Sequence, residues 1–587
     1  MTSTTDLKLR HMIRDIVRGP PTAYATHDTF AATRQALARK YKHMPSKREL
    51  AEIYKTLHAV DPAAYPLLPV LQDQLVIRAV RSASGIINVS VVTPPGPFSC
   101  RYNCKFCPLE PGMPRSYLSN EDAVARAAAN DFDAVRQAWN RFDALERNGH
   151  ALDKIEFRIL GGTFSCYPHD VADIFIRDLY YAANTYGSSN SRERLSLDEE
   201  QALNVAATIH VVGLGVETRP DEITPAEIQR FRRYSVTRVE LGVQHTNDDL
   251  LRIVNRGHGV AASRRAIRLL KDYGFKVEIH IMADLPGTTP DLDRDCYRQV
   301  LRDDPDLTPD YMKDYPCLDV DHTEIKAWKA DGRWRPYAEA TPDARDLKEV
   351  LIYRQQITPP WVRVNRIQRD FREARPGCLG YTSTGVKTNL AQIVKAEAED
   401  RGIYCQCIRC CEIRGEAFDP EEVRYVRHAF VASGAPEWFL AAIVPKPNRN
   451  LLLGFLRLRI SPALHDTVVT PELRGRTAMI RELHVYGPVT RVGTASRGAQ
   501  HLGIGRCLLH MAGWIAYMNG AQQLAVISGV GVRGYYARHG FVLRGTYMIR
   551  PLGVCVRNLF LVCPTLITLL FAFLVYRCLN STSTNQQ

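Results

Sequence analysis

Apolar and polar positions change their period along the chain and divide it into parts. Between about residues 75 and 290, short β-branched runs alternate with stretches of helical period: KIEFRILGG precedes VADIFIRDLYYAA, HVVGLGVE precedes AEIQRFRRY, RVELGVQ precedes ASRRAIRLLKDYG, and FKVEIHIMADLPG follows. Repeated strand–helix units predict a parallel sheet with helices outside, closed fully or partly into a (β/α) barrel with its chemistry at the C-terminal ends of the strands. The segment SSNSRERLSLDEE, from Ser188, interrupts the alternation and is expected as a mobile surface insertion. After about residue 420, WFLAAIV, LLLGFLRLRI and AMIRELHVYG predict antiparallel strands, followed by a helix from Gly505, the strand QLAVISG and a last helix and strand. A second α/β domain begins there. The run Leu559–Tyr576 holds 18 uncharged residues, enough for a helix of about 27 Å. It is expected to span a membrane, with a buried core helix as the alternative and Pro564 awkward for either.

At 587 residues the chain exceeds one hydrophobic core. Hydrophobic residues at 45% and charged residues at 24% exclude a disordered or collagen-like chain. The net charge of +13 favours polyanions, nucleic acid or an anionic membrane surface. The first 60 residues hold 11 Lys/Arg against 5 Asp/Glu, a basic and predominantly helical arm that is either a phosphate-contacting surface or a solvated face. Its opening stretch, MTSTTDLKLRHMIRDIVRG, lacks the uninterrupted apolar core of a secretory signal, so the 15 cysteines are expected reduced.

Seven of those cysteines fall in two groups. Cys100, Cys104 and Cys107 stand as C-x3-C-x2-C in a loop after the apolar run GIINVSVVT. A cubane iron–sulfur cluster takes four cysteines, so three leave one iron free for an exchangeable ligand. This spacing resembles the radical S-adenosylmethionine superfamily, in which that iron chelates the cofactor and an electron cleaves it to a 5'-deoxyadenosyl radical. A zinc knot is the alternative, but no fourth ligand stands at zinc spacing. Gly161, Gly162 and Thr163 close the strand KIEFRIL, where the superfamily has a turn contacting the cofactor amine. Glu217, Arg219 and Gln244 close later strands and are expected either at the barrel mouth or in structural ion pairs. The second group, Cys405, Cys407, Cys410 and Cys411, is either a zinc site or a set of buried free thiols. Cys411 is the poorest candidate ligand, because adjacent side chains diverge, so a His or a more distant group is expected to complete the tetrahedron.

Gln500, Gly503, Ile504, Gly505 and Arg506 form a turn that opens a helix, where backbone N–H groups meet a pyrophosphate and glycines admit it closely. With the flanking strands and YYARHGF, this resembles the GCN5-related N-acetyltransferase (GNAT) fold and its coenzyme A turn. An ordinary helix N-terminus is the alternative. A radical cluster beside an acetyl thioester makes sense where the acceptor is a poorly nucleophilic carbon.

The stretches PRSYLSNEDAVARAAANDFD, DKIEFRILGGTF, VETRPDEI, VNRGHGV, RVNRIQRD, CQCIRCCEIRG, RELHVYG and VISGVGVRGYYARHGF resemble the tRNA uridine-34 acetyltransferase family, which includes the catalytic subunit of Elongator, over about residues 20–550. The resemblance implies acetyl-CoA as donor and the wobble uridine of tRNA as acceptor, through a carbon radical that adds to uracil C5 and leaves a carboxymethyl group. It implies Cys100, Cys104 and Cys107 as ligands of a [4Fe-4S] cluster that works with S-adenosylmethionine. It places acetyl-CoA on Lys154, Glu482, Leu483, His484, Val485, Ile504, Gly505, Arg506, Tyr535 and Tyr536, with Lys154, Glu482, His484 and Tyr536 as candidate catalytic groups. Gly161, Gly162 and Glu217 are assigned to cofactor binding, and Cys405, Cys407 and Cys410 to zinc. This chain keeps the compact cysteine spacing of archaeal and bacterial relatives, where eukaryotic members space the first two more widely. Lys313, Tyr315, Arg366 and Arg369 are candidate groove residues for RNA.

The expected architecture is α/β: a basic arm at 1–74, a radical S-adenosylmethionine partial barrel at 75–375, a zinc linker at 376–420, a GNAT domain at 421–553 and a transmembrane anchor at 559–576. The anchor would tether the enzyme to an intracellular membrane, facing the cytosol. Expected partners are the tRNA anticodon stem-loop, that membrane, an external electron donor, and a homodimer mate or Elongator-like subunits. The alternative function is a protein lysine N-acetyltransferase whose cluster is structural, with Glu482 or His484 as base.

Overall fold

A computed structural model describes residues 4–98, 100–188, 192–369, 389–461, 469–487 and 502–553. Four helices open the chain: α1 Thr4–Arg18, α2 His27–Tyr41, α3 Lys47–Val60 and α4 Pro69–Leu75. Their apolar faces bury Met12, Ile13, Phe30, Leu50 and Leu71 in a core of their own. Reciprocal caps at Thr26/Thr29 and Ser46/Glu49 start α2 and α3 by satisfying N–H groups that the helix leaves unpaired.

Seven strands follow: β1 Ile87–Val92, β2 Lys154–Leu160, β3 His210–Thr218, β4 Arg238–Gln244, β5 Lys276–Ile281, β6 Tyr311–Asp314 and β7 Arg363–Arg366. They pair in chain order and all in parallel. This is the open, barrel-like sheet that the strand–helix alternation predicts. On one face Ile155, Phe157, Val239, Val277 and Ile279 pack under the helices. The other face carries charged side chains and belongs to the site.

The second sheet is built from β8 Arg424–Ala432, β9 Ala435–Val444, β10 Leu451–Ile460, β11 Thr477–Val485, β12 Gln523–Val526, β13 Val542–Arg544 and β14 Tyr547–Pro551, ordered β13-β14-β12-β11-β10-β9-β8. All neighbours are antiparallel except β11 and β12, which the helix Ile504–Met518 connects. Leu508, Leu509 and Ala512 of that helix pack on Leu440, Leu456 and Ile480.

The second sheet docks on the N-terminal edge of the parallel sheet through buried ions. Arg481 bonds both oxygens of Asp310 and lies 3.1 Å from Glu437, while Arg459 reaches Asp272 at 2.5 Å. Lys271, fully buried, stands 3.3 Å from Glu437, and the phenol of Tyr311 donates to Glu482. Buried ions of this kind are tolerated only when paired, so separating the two sheets would leave several charges without partners.

Two expectations change. The insertion from Ser188 has an ordered second half: Ser196 caps the helix Leu197–Asn204, and Glu200 is fully buried, 2.6 Å from Arg192 and 2.8 Å from Asn184. The membrane assignment is also corrected. Residues 559–576 lie outside the described residues, and among the described residues no helix is long and apolar enough to cross a membrane. The longest of these, His169–Thr185, has 17 residues and carries Asp170, Asp173, Arg177 and Asp178, charges that a bilayer core does not tolerate cheaply. The cytosol-facing, tail-anchored localisation is withdrawn on that finding.

Candidate functional site

The loop after β1 carries the first cysteines over the C-terminal edge of the parallel sheet. Cys104 is buried, and Cys100 and Cys107 are half-buried. The Lys105 N–H donates to the Val254 carbonyl (3.0 Å) and the Cys107 N–H to the Cys104 carbonyl (3.0 Å), which ties the loop down. Three guanidinium groups face the sulfurs: Arg256 at 3.5 Å and Arg219 at 3.8 Å from Cys104 Sγ, and Arg115 at 3.4 Å from Cys107 Sγ. Arg219 is itself held by Asp221 at 2.9 Å and lies 3.9 Å over the Tyr102 ring. A hydrogen bond with Cys166 draws the Cys100 thiol down to about 5, against burial and with help from the Tyr102 N–H and Arg219. Burial pushes the Cys107 thiol up despite Arg115 beside it, so the thiolate, which is the ligand form, is favoured at Cys100.

The turn at Gly161 and Gly162 fits because it lacks side chains. A Cβ on Gly161 would sit 1.8 Å from Thr93 Oγ1, and one on Gly162 2.6 Å from the Arg115 carbonyl, with φ at +146° and +87°. Gln244, the last residue of β4, and Asp284, after β5, are also left-handed although neither is glycine, at φ +73° and +63°. Strain of this kind gathers where a loop is shaped for a ligand.

Beneath the loop, the inner face is a column of charge. Arg158 bonds Glu240 and lies 2.8 Å from Glu278. Lys313 bonds Glu240, Arg238 lies 3.1 Å from Glu156, and Asn365 donates to Glu278 at 2.9 Å. Burial pushes the Glu240 carboxyl up, but Arg158 and Lys313 outweigh it and hold the group well below the usual range. At the upper end Glu217 accepts from Tyr117 at 2.6 Å, and burial, then Glu240, raise its carboxyl. Lys313, expected in a surface groove, is thus buried. Tyr315 stands beside it and His280, and Arg369 bonds Glu121, while Arg366 is exposed.

Glu482, Leu483, His484 and Val485 end β11 at the opposite, N-terminal edge. Glu482 accepts from Tyr311 and from Arg457 Nε (3.0 Å). Burial acts to raise its carboxyl, and Lys276 and Arg457 overcome it and lower it. His484 Nε2 is 2.8 Å from the Ser84 carbonyl, its ring stacks on Phe455 and Tyr486, and burial lowers its basicity. Gly503, at φ +70°, caps the helix that Ile504, Gly505 and Arg506 begin, and Arg506 is exposed. A Cβ on Gly505 would stand 2.6 Å from the Tyr535 hydroxyl, so Tyr535 walls this turn, with Tyr536 buried behind it. Gln500 lies outside the described residues. Lys154 opens β2 at the same lower edge, 3.6 Å from Asp153.

In the linker, the sulfurs of Cys405, Cys407 and Cys410 all lie within 4.8 Å of one another. An ion about 2.3 Å from each sulfur in a tetrahedron needs them about 3.8 Å apart, so the trio fits a single metal. The Val364 and Cys410 N–H groups donate to Cys407, whose thiol is lowered chiefly by its bonds with Cys405 and Cys410. Sequence reading missed Arg115, Arg256, Cys166 and Tyr117. Three of them stand in the stretches PRSYLSNED and VNRGHGV, but their contacts with the cysteines and Glu217 appear only once the chain is folded.

The Radical SAM superfamily model matches residues 97–295. A tRNA uridine(34) acetyltransferase of Methanocaldococcus infernus is 36% identical over 522 residues, 86% of this chain and 91% of that protein. Another from Dehalococcoides mccartyi is 36% identical over 80% of this chain and 99% of its own length. Human Elongator complex protein 3 is 34% identical, with 82% and 87% covered. The solved structure of the archaeal Methanocaldococcus infernus Elp3, with its N-terminus deleted, superposes with a TM-score of 0.66 at 33% identity, covering 80% of this chain and 99% of that one. Relatives of 34–36% identity, each covered over more than four-fifths of its own length, show that the chain belongs to the tRNA uridine(34) acetyltransferase family that includes Elongator complex protein 3.

Proposed function

We propose that the chain modifies uridine-34 at the wobble position of tRNA, carrying a two-carbon unit from acetyl-CoA to C5 of the base and leaving a carboxymethyl group. The observation that carries this reading is the loop of Cys100, Cys104 and Cys107, flanked by Arg115, Arg219 and Arg256, in a chain so similar to proteins of that name. A four-iron cluster on those cysteines, with S-adenosylmethionine on its free iron, would supply the radical that takes hydrogen from the acetyl methyl. The three guanidinium groups stabilise the thiolates, and Gly161, Gly162 and Glu217 shape the cofactor's side of the mouth.

The second sheet is read as a GNAT-type domain, on its parallel β11/β12 pair and the helix between them. The turn of Gly503 to Arg506 takes the pyrophosphate, Tyr535 and Tyr536 wall it, and the acetyl thioester lies along Glu482 to Val485 towards Lys154. Since β11 and the cysteine loop stand at opposite ends of the parallel strands, the acetyl arm reaches along the charged inner face, about 20 Å for a seven-residue strand. Glu482 and His484 act there by position. The Glu482 carboxylate accepts from Tyr311 and Arg457, and His484 is bonded through Nε2 to the Ser84 carbonyl, so both are held in place by contacts between the two sheets. Cys405, Cys407 and Cys410 hold zinc between the domains, and the basic helices α1–α4 contact tRNA phosphates, with an external donor supplying electrons.

Anaerobically reconstituted protein given tRNA, acetyl-CoA, S-adenosylmethionine and reductant is expected to yield carboxymethyluridine at position 34, read by nucleoside mass spectrometry. Acetylation of a peptide amine without S-adenosylmethionine, and no change in the tRNA, would reverse the assignment.

A further inference from the structure

The linker trio has a neighbour that a sealed structural site lacks. A cavity of about 300 Å³ lies against it, lined by Cys405 and Cys410 themselves and by Lys395, Arg414 and Arg449, with Glu399 and Glu416 opposite. At about 30 Å³ per molecule it holds on the order of ten waters. Among the described residues no fourth His, Cys, Asp or Glu joins the trio. The adjacent Cys411 is turned away, its thiol 3.5 Å from the Gln406 carbonyl. On another side the trio is backed by protein: Arg354, buried and 2.9 Å from Asp314, lies close enough for Cys405 and Cys407 to raise its basicity against the pull of burial.

We propose that the metal on Cys405, Cys407 and Cys410 keeps its fourth position open to this cavity, where an exchangeable water or small monoanion completes the tetrahedron. The inference rests on the trio binding a metal. Three thiolates and a divalent ion carry one negative charge in all. The cavity's three cations and two carboxylates leave one positive charge to meet it, so a neutral or singly charged ligand fits and a polyanion does not. An open fourth position is the arrangement of metal sites that exchange ligands, whereas purely structural sites close theirs with protein. The Arg449 guanidinium, 2.7 Å from the Cys410 carbonyl, holds the trio's backbone at the cavity wall. Lys395, paired at the surface with Glu399 at 3.6 Å, is the cation most able to turn inward.

The test replaces the metal of the full-length protein with cobalt(II), whose visible absorption reports its ligands, after metal analysis of the untreated protein. One metal per trio, X-ray absorption showing three sulfurs and one lighter atom, and a visible spectrum that shifts on titration with sodium azide are expected. Lys395→Ala should keep the cobalt and weaken azide about threefold. Four sulfurs, or a spectrum indifferent to azide, overturns the open position while leaving the metal site standing. Protein that retains no metal in the linker overturns the metal reading and the open position with it.

Discussion

The two cysteine groups are nearly the same in sequence and differ in what they can hold. Both end in Cys-x2-Cys, and in both the last cysteine's N–H donates to the carbonyl of the one before at 3.0 Å. The difference is the first cysteine. One intervening residue brings Cys405 into a trio within 4.8 Å, whereas three residues carry Cys100 out along the loop beside Cys166, and that group is not so gathered. Their settings diverge in step. Arg115, Arg219 and Arg256 surround the open loop at the sheet edge, while backbone N–H donors and the buried Arg354 back the compact trio. Spacing separates the two geometries, and the charge around each differs with it.

The largest effects should come from removing one cysteine of each group. Cys104→Ala is expected to abolish cluster iron and wobble-uridine product while linker metal and melting temperature stay near their original values, as read by iron analysis, nucleoside mass spectrometry and calorimetry. Cys407→Ala should weaken linker metal by more than about 100-fold and lower the melting temperature while the cluster still assembles. If either substitution removes both metals, the two groups are not independent and the comparison fails.

The docking network ties the second sheet to the N-terminal edge of the parallel sheet. Arg481→Met leaves Asp310 and Glu437 short of a buried cation. It should cost about 3–5 kcal/mol, seen as loss of the shared thermal transition and earlier proteolysis between the sheets. A smaller effect is expected of Arg256→Ala at the open loop. One charge-assisted contact to Cys104 and one to the Gly242 carbonyl go, and cluster-dependent turnover should fall about tenfold with no change in linker metal. An equal loss of linker metal would show the arginine to be a general support of the fold.

Much of this was legible in the chain. Period alone separated the two sheets, because a strand such as KIEFRIL puts Ile155, Phe157 and Ile159 under helices and Glu156 and Arg158 on the other face. The cysteine spacings marked both groups as places to look. What stayed hidden depends on contacts between distant segments. Arg256 and Arg115 reach the cysteines only after folding, and Glu482, placed by motif in an acetyl site, spends its side chain on Tyr311 and Arg457. Lys313 looked like a surface cation in MKDYP because a strand of four residues is too short to reveal which side faces inward.

The smallest expected effect concerns pH and falls on the open loop's side. Asp284, buried at φ +63°, accepts N–H groups from Tyr337 (2.8 Å) and Ala338 (3.0 Å), yet burial, then Asp293, push its carboxyl from 3.8 up to about 7. The folded chain therefore keeps this proton when the unfolded chain has released it. The stabilisation belongs to the acid side and is lost as pH rises from about 4 to 7, after which it is level. The limit is about 1.4 kcal/mol per unit. Asp284→Asn removes the titration and leaves one N–H poorly paired, a cost of about 1 kcal/mol at every pH. The variant should thus melt below the parent protein at pH 5 and close or reverse the gap by pH 8. Parallel melting curves across that range would mean that Asp284 does not titrate there, and that the two cysteine regions do not differ in their response to acid through this residue.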